Sequence, residues 1–118
     1  LYLGDIGDNS KKRDQITVYR VAEPQVTSKD SSSTVQSPRA TDAADVIRLK
    51  YPDGKYDAET LLLHPLTGDL YIITKVRGAA ARVYKLRAPE PKSAAPPLSF
   101  VGEFRFPNTF LEPVINFK

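Results

Sequence analysis

The chain has 118 residues, 41% apolar and 26% charged, with a net charge of +3, which is the balance of a globular chain long enough to bury one core. It contains no cysteine, which excludes a disulfide framework, a thiolate nucleophile and a cysteine metal site. The longest apolar run, around Leu61-Leu62-Leu63, is too short to span a membrane, and the only dense basic run, Lys11-Lys12-Arg13, lacks the wider stripe that nucleic-acid binding needs.

Helical periodicity is missing, and short runs of Val, Ile, Leu, Tyr and Phe alternate with Gly, Pro, Asp, Asn and Ser. The pattern predicts strands over Leu1–Ile6, Gln15–Ala22, Asp45–Tyr51, Ala58–His64, Asp69–Lys75, Ala81–Arg87 and Ser99–Phe106. Pro52-Asp53-Gly54 and His64-Pro65-Leu66-Thr67-Gly68-Asp69 are turn signals, since Pro presets φ and Gly accepts positive φ. Gln25–Ala44, rich in Ser, Thr and Asp, and Pro89–Pro97, rich in Pro and Ala, read as mobile loops. The start at Leu1, inside a strand-like run, reads as a fragment or a processed product.

Three strands recur in one order. Leu1-Tyr2-Leu3 matches Leu70-Tyr71-Ile72, Val18-Tyr19-Arg20-Val21 matches Val83-Tyr84-Lys85-Leu86, and Leu49-Lys50-Tyr51-Pro52 matches Phe104-Arg105-Phe106-Pro107. Such a period marks stacked supersecondary units. With Ala58–His64 as a fourth strand, the expected fold is all-β: antiparallel four-stranded meanders forming about two blades of a β-propeller, with a small β-sandwich as the alternative. The division is a partial first blade over 1–52, a second over 53–107 and a C-terminal tail over 108–118. Continuously apolar Thr60–Leu63 and Leu70–Ile73 predict inner strands covered on both faces. The alternation of Phe100, Gly102, Phe104 and Phe106 predicts an outer strand covered on one.

Leu1-Tyr2-Leu3-Gly4-Asp5-Ile6-Gly7-Asp8-Asn9, with Arg13 and Ile16-Thr17-Val18-Tyr19-Arg20 after it, resembles a blade of secreted bacterial propeller proteins with a Gly-Asp-Ile-Gly-Asp-Asn strand end. More loosely it is similar to the NHL-type repeat. The segment from Tyr51-Pro52-Asp53-Gly54 through Asp57-Ala58-Glu59 to Thr74-Lys75 resembles the same group. The resemblance implies a secreted or periplasmic protein.

Antiparallel pairing sets the end of one strand beside the start of the next. In a propeller, Asp5, Asp8, Asn9, Asp57, Glu59, Thr74 and Lys75 are therefore expected at one rim, at the mouth of a channel. Asp5, Asp8, Asn9, Asp57 and Glu59 offer oxygen ligands for Ca2+, with turn capping the plainer expectation for Asp8 and Asn9 and Asp5 the better ligand candidate. Lys75 and Arg13 are candidate binding residues for an anion. The plainer expectations are a Glu59–Lys75 ion pair and an Arg13 bonded back onto the Asp5–Asn9 turn. His64 alone supports no metal cluster or triad and is expected on a turn surface. Tyr2, Tyr19, Tyr71 and Tyr84 are expected to be packing residues. No residue set names a catalytic group. The expected function is a segment of an extracellular propeller binding or scaffold protein, with a ligand or protein at the channel face and a possible structural cation. A Ca2+-dependent hydrolase of phosphoesters or esters is the alternative. Self-association through open blade edges is a third expectation.

Overall fold

Strands form where apolar residues alternate and stop at the proline and glycine turns. The computed structural model describes residues 1–76, 79–88 and 97–105. Its strands are β1 (Tyr2–Asp5), β2 (Ile16–Arg20), β3 (Asp45–Leu49), β4 (Ala58–Leu63), β5 (Leu70–Thr74), β6 (Ala81–Leu86) and β7 (Ser99–Phe104). Each lies inside its predicted run. They make two antiparallel meanders, a three-stranded sheet β1-β2-β3 and a four-stranded sheet β4-β5-β6-β7. The fold is all-β. The tail over 108–118, Phe106 and most of the Pro/Ala-rich loop lie outside the described residues.

The matched sequences pair in matched register. Leu3 faces Tyr19 across β1 and β2, as Ile72 faces Tyr84 across β5 and β6. Gly4 faces Val18 as Ile73 faces Val83, and Ile16 faces Leu49 as Ala81 faces Phe104. A bulge between Val83 and Tyr84 then slips β7, so that Tyr84 meets Phe100.

One apolar core joins the sheets. The first contributes Ile6, Ile16, Val18, Leu49 and Tyr51; the second contributes Ala58, Leu70, Ile72, Tyr84, Leu86 and Leu98. A Cβ on Gly4 would stand 3.3 Å from Leu61 Cδ2, so the missing side chain lets β1 and β4 approach closely. Because residues two apart share a face, equivalent strands present opposite faces to the core. The first sheet buries the Gly4–Val18 side and the second the Ile72–Tyr84 side.

This packing corrects the expectation that inner strands are covered on both faces. Leu62 and Leu63 remain about half exposed, and Tyr71 and Ile73 are only half-buried. The outer strand β7 likewise leaves Phe100 45% and Val101 54% exposed. Of the four recurrent tyrosines only Tyr84 is fully buried, because Tyr19 occupies the matching place on a face turned outward. Within the loop expected to be mobile, Ser28–Ser32 forms a 3-10 turn. Its capping box couples Thr27 to Asp30, and Arg39 pairs with Asp30 and with the Gln25 carbonyl.

The β4–β5 hairpin closes with His64 N–H donating to the Asp69 carbonyl at 2.8 Å and Gly68 at φ +74°. His64 Nδ1 accepts from Thr67 N–H at 3.2 Å, so the histidine caps its own turn. Asp69 accepts from Ala88 N–H at 2.9 Å and pairs with Lys85 at 2.6 Å.

Leu49→Ala removes a fully buried side chain where the sheets meet, and is expected to cost about 2–5 kcal/mol in urea unfolding. The Lys85 ammonium, then the Ala88 amide, hold the Asp69 carboxyl at about 2, against 3.8 when unperturbed. A carboxyl whose pKa falls on folding adds stability that is present above the unfolded value and is lost as pH drops through the folded one. Between pH 3.8 and 2 the protein should therefore lose stability, and Asp69→Asn should flatten that part of the curve in denaturant titrations.

Candidate functional site

β1 ends at Asp5, and Ile6 drops into the core, so the chain leaves the sheet with its next polar residues crowded at one end. Asp8 is buried there, and its carbonyl accepts from Lys11 N–H at 2.8 Å, closing a tight turn. Lys11 carries the turn out at φ 51°, a left-handed value that costs a side-chain-bearing residue roughly 1 kcal/mol. Asp8 Oδ2 then accepts from Arg13 N–H at 2.8 Å, the capping role open to this residue from sequence.

Arg13 folds back over the turn. Its two terminal nitrogens donate to Asp5 Oδ1 at 2.7 Å and Oδ2 at 2.9 Å, and one also reaches the Gly7 carbonyl at 3.0 Å. This two-pronged contact uses the planar guanidinium fork. The hydrogen bond from Arg13 holds the Asp5 carboxyl below the usual carboxylate range, and Asp5 raises Arg13 in return. Desolvation pushes Asp8 upward, but the Arg13 and Lys12 amides and the nearby cations outweigh it, so Asp8 also lies low.

Asp57 joins this turn to the second sheet. Its Oδ1 accepts from Asp8 N–H at 2.6 Å in a buried bond, and its carbonyl accepts from Lys75 N–H at 2.7 Å. One residue therefore bridges the exit of β1, the entry of β4 and the exit of β5. A bulge between Ala58 and Thr60 leaves Glu59 out of the ladder, and Lys75 Nζ donates to Glu59 Oε1 at 2.5 Å. Lys55 adds a second tie, reaching the Lys12 carbonyl at 3.1 Å and Asp14 at 2.7 Å.

The candidate residues are thus brought to one end, around an open cleft of about 350 Å3 lined by Asn9, Lys11, Asp57, Lys75 and Val76. Asp5, Arg13 and Glu59 stand outside that lining, and the carboxylates of Asp5, Asp8, Asp57 and Glu59 each accept from an internal donor. Among the described residues, no group of three or more His, Asp or Glu is arranged to hold a metal ion. A second cleft, about 440 Å3, lies between β1 and the segment leading into β3, lined by Tyr2, Arg20, Glu23 and Asp45 among others.

A further polar cluster was not legible in sequence. Tyr84 Oη donates to Asp53 Oδ1 at 2.7 Å, and Arg82 donates to Tyr56 Oη at 2.5 Å while pairing with Asp53 at 3.2 Å. The Arg82 guanidinium also lies 4.7 Å from the Phe100 ring centre. Tyr51 packs edge-on against Tyr56 and Tyr84 at 5.2 and 4.8 Å. Burial, reinforced by Asp53, pushes the Tyr84 hydroxyl pKa up, and burial does the same for Tyr51. Pro52-Asp53-Gly54 signals a turn, but no local pattern says that Asp53 receives a tyrosine hydroxyl from β6.

Asp57→Ala leaves the buried Asp8 N–H without its acceptor and should destabilise the chain by about 1–3 kcal/mol. Amide exchange should report it as lost protection at Asp8, with Asp57→Asn recovering part of the loss. Comparison of the chain with family models, curated proteins and solved structures finds no match in any of the three.

Proposed function

We propose that the chain is a run of stacked β-propeller units belonging to an extracellular binding or scaffold protein, with the Asn9–Asp57–Lys75 rim as its ligand-contacting end. One observation carries the reading. Two sheets with the same register at matched residues meet through opposite faces. Halves of a sandwich related by a two-fold axis would bury equivalent faces and finish the stack. Units that meet head to tail repeat one interface and leave each end competent for the next, as propeller blades do.

The chemistry at the rim favours a binding role over catalysis. Its acids are committed to Arg13, to backbone amides and to Lys75, and among the described residues no nucleophile is paired with a base there. The Ca2+-dependent hydrolase reading requires Asp5, Asp57 and Glu59 to exchange those donors for a cation. A binding role also suits the mixed charge of the cleft, where Lys11 and Lys75 face Asp57 and the Asn9 amide. Among the described residues no helix is long and apolar enough to cross a membrane.

Coupled unfolding tests the stacked-unit reading. If each sheet owes its stability to the other, amide exchange in β2 and in β6 should slow and quicken together along a urea series. Both should accelerate in Asp57→Ala. Independent opening of the two sheets ends the reading. Calorimetry with Ca2+ tests the cation: binding that disappears in Asp5→Ala establishes the site, whereas no binding and an unchanged Tm in chelator end both the structural cation and the Ca2+-dependent hydrolase reading.

A further inference from the structure

We propose that the rim cleft takes a small carboxylate bearing a hydroxyl or amino group on the carbon next to its carboxyl. Lys11, Lys75 and Asn9 hold the acid, and Asp57 accepts from the adjoining donor. The proposal rests on the rim being the ligand-contacting end and names the chemistry of what binds there. The walls come from both sheets: Asn9 and Lys11 lie in the turn leaving β1, Asp57 at the entry of β4, and Lys75 and Val76 at the exit of β5. The site therefore lies between the two described sheets and not on their outward faces.

The unmatched groups of this cleft are mainly donors. The carboxylates of Asp5, Asp8 and Glu59 are committed to Arg13, to backbone amides and to Lys75. Lys11 and the Asn9 amide are exposed, and neither side chain has an internal partner among the described residues. Lys75 Nζ gives one hydrogen to Glu59, an open pair of the kind that contributes little, and keeps the others for a ligand. Two ammonium groups and an amide in one lining match the several lone pairs of a carboxylate. Lys11, held at φ 51°, is the strained member of the set, and strain of this kind gathers at ligand clamps.

Asp57 fixes the rest of the ligand. Its Oδ1 accepts from Asp8 N–H, and its Oδ2 has no donor among the described residues. A carboxylate in the wall disfavours a dianion such as phosphate, yet accepts readily from a hydroxyl or ammonium beside the bound acid. Val76 offers an apolar surface to a short side chain. At about 350 Å3 the cleft is at the small end of ligand sites, which suits a hydroxy acid or an amino acid.

Amide chemical-shift titration of the 118-residue chain at constant ionic strength tests the proposal with propionate, L-lactate and L-alanine, three probes of one carbon skeleton. L-lactate and L-alanine should shift the amides of Asn9, Lys11 and Lys75 and bind about tenfold more tightly than propionate, the effect of one hydrogen bond to a charged group. Whichever of the two binds more tightly identifies the ligand as a hydroxy acid or an amino acid. Lys11→Gln and Lys75→Gln should each weaken binding about tenfold. Lys12→Gln, outside the lining, should leave it unchanged. Asp57→Asn keeps an oxygen for Asp8 N–H but turns an NH2 towards the cleft, so the preference over propionate should vanish. No shifts from any acid, shifts confined to other regions, propionate binding as tightly as the others, or an equal loss in Lys12→Gln overturns the proposal. Shifts at the rim from acetamide or ethylammonium but from none of the acids overturn it too, while leaving the rim as the contacting end. The coupled-exchange experiment uses no ligand and decides the stacked units separately.

Discussion

The architecture turns on a parity constraint. In a strand, residues an odd number apart lie on opposite faces, and the second sheet uses the odd positions of the pattern whose even positions the first sheet uses. Leu3 and Ile72 hold matching places in their strands, yet Ile72 is fully buried and Leu3 lies open. The same inversion separates Tyr19 from Tyr84 and Val18 from Val83. On the described strands the first sheet turns Ile16 and Val18 into the shared core and the second turns Leu70, Ile72, Tyr84 and Leu86 into it, while Leu3, Val46 and Leu62 stay exposed.

A purely apolar contact between twisted sheets resists separation but fixes their relative position weakly. The polar ties supply position. The bond from Asp8 N–H to Asp57 is short and buried, and it connects a turn leaving β1 to the residue that opens β4. Because Asp57 also receives Lys75 N–H on its carbonyl, moving the first sheet along the second would strand a buried amide on one side and disturb the end of β5 on the other. At the same end of the second sheet, where Arg82 N–H donates to Thr74 Oγ1, Tyr84 reaches Asp53 in the connection between the sheets, and Arg82 closes over Tyr56. Directional contacts thus gather where β4 begins, and the rim cleft inherits its shape from one of them.

Strand positions were legible because three independent cues coincide in this sequence: period-two alternation, β-branched and aromatic residues, and proline or glycine at the ends. The rim grouping was legible too, since antiparallel order places Asp57 beside Lys75 and the expected stacking of the two units brings Asp5 and Asp8 to the same end. Arg13 over the turn and the Glu59–Lys75 pair follow from short reach and opposite charge. Burial was not legible in the same way. An unbroken run such as Leu61-Leu62-Leu63 carries no parity, so sequence cannot say which of its faces is covered. The bulge at Val83 and Tyr84 is silent as well, because inserting one residue into β7 leaves its composition unchanged. Asp53 was hidden for a different reason: its partner is 31 residues away, beyond any local pattern. The 3-10 turn, by contrast, had a signal, the Thr27-Ser28-Lys29-Asp30 capping sequence, masked by the polarity of the loop around it.

Why a rim should collect function while the middle of the sheets collects stability follows from the same geometry. Inside a sheet every side chain is committed by parity to a face, and its backbone groups are committed to the ladder. Where strands end, the backbone is released, and the residues that cap it must be polar, short and conformationally tolerant. Asp8, Asn9 and Asp57 meet those demands, and two of the three are used to close the structure. Asn9 is exposed, and Lys11 holds a left-handed backbone in the same turn. A side chain kept in a sparsely populated conformation, at the lip of a cleft whose other walls are already satisfied, is where the turn gives up stability. On the binding reading proposed above, the cleft between Asn9, Lys11 and Lys75 is accordingly where sequence could change contacts with a ligand without rewriting the fold.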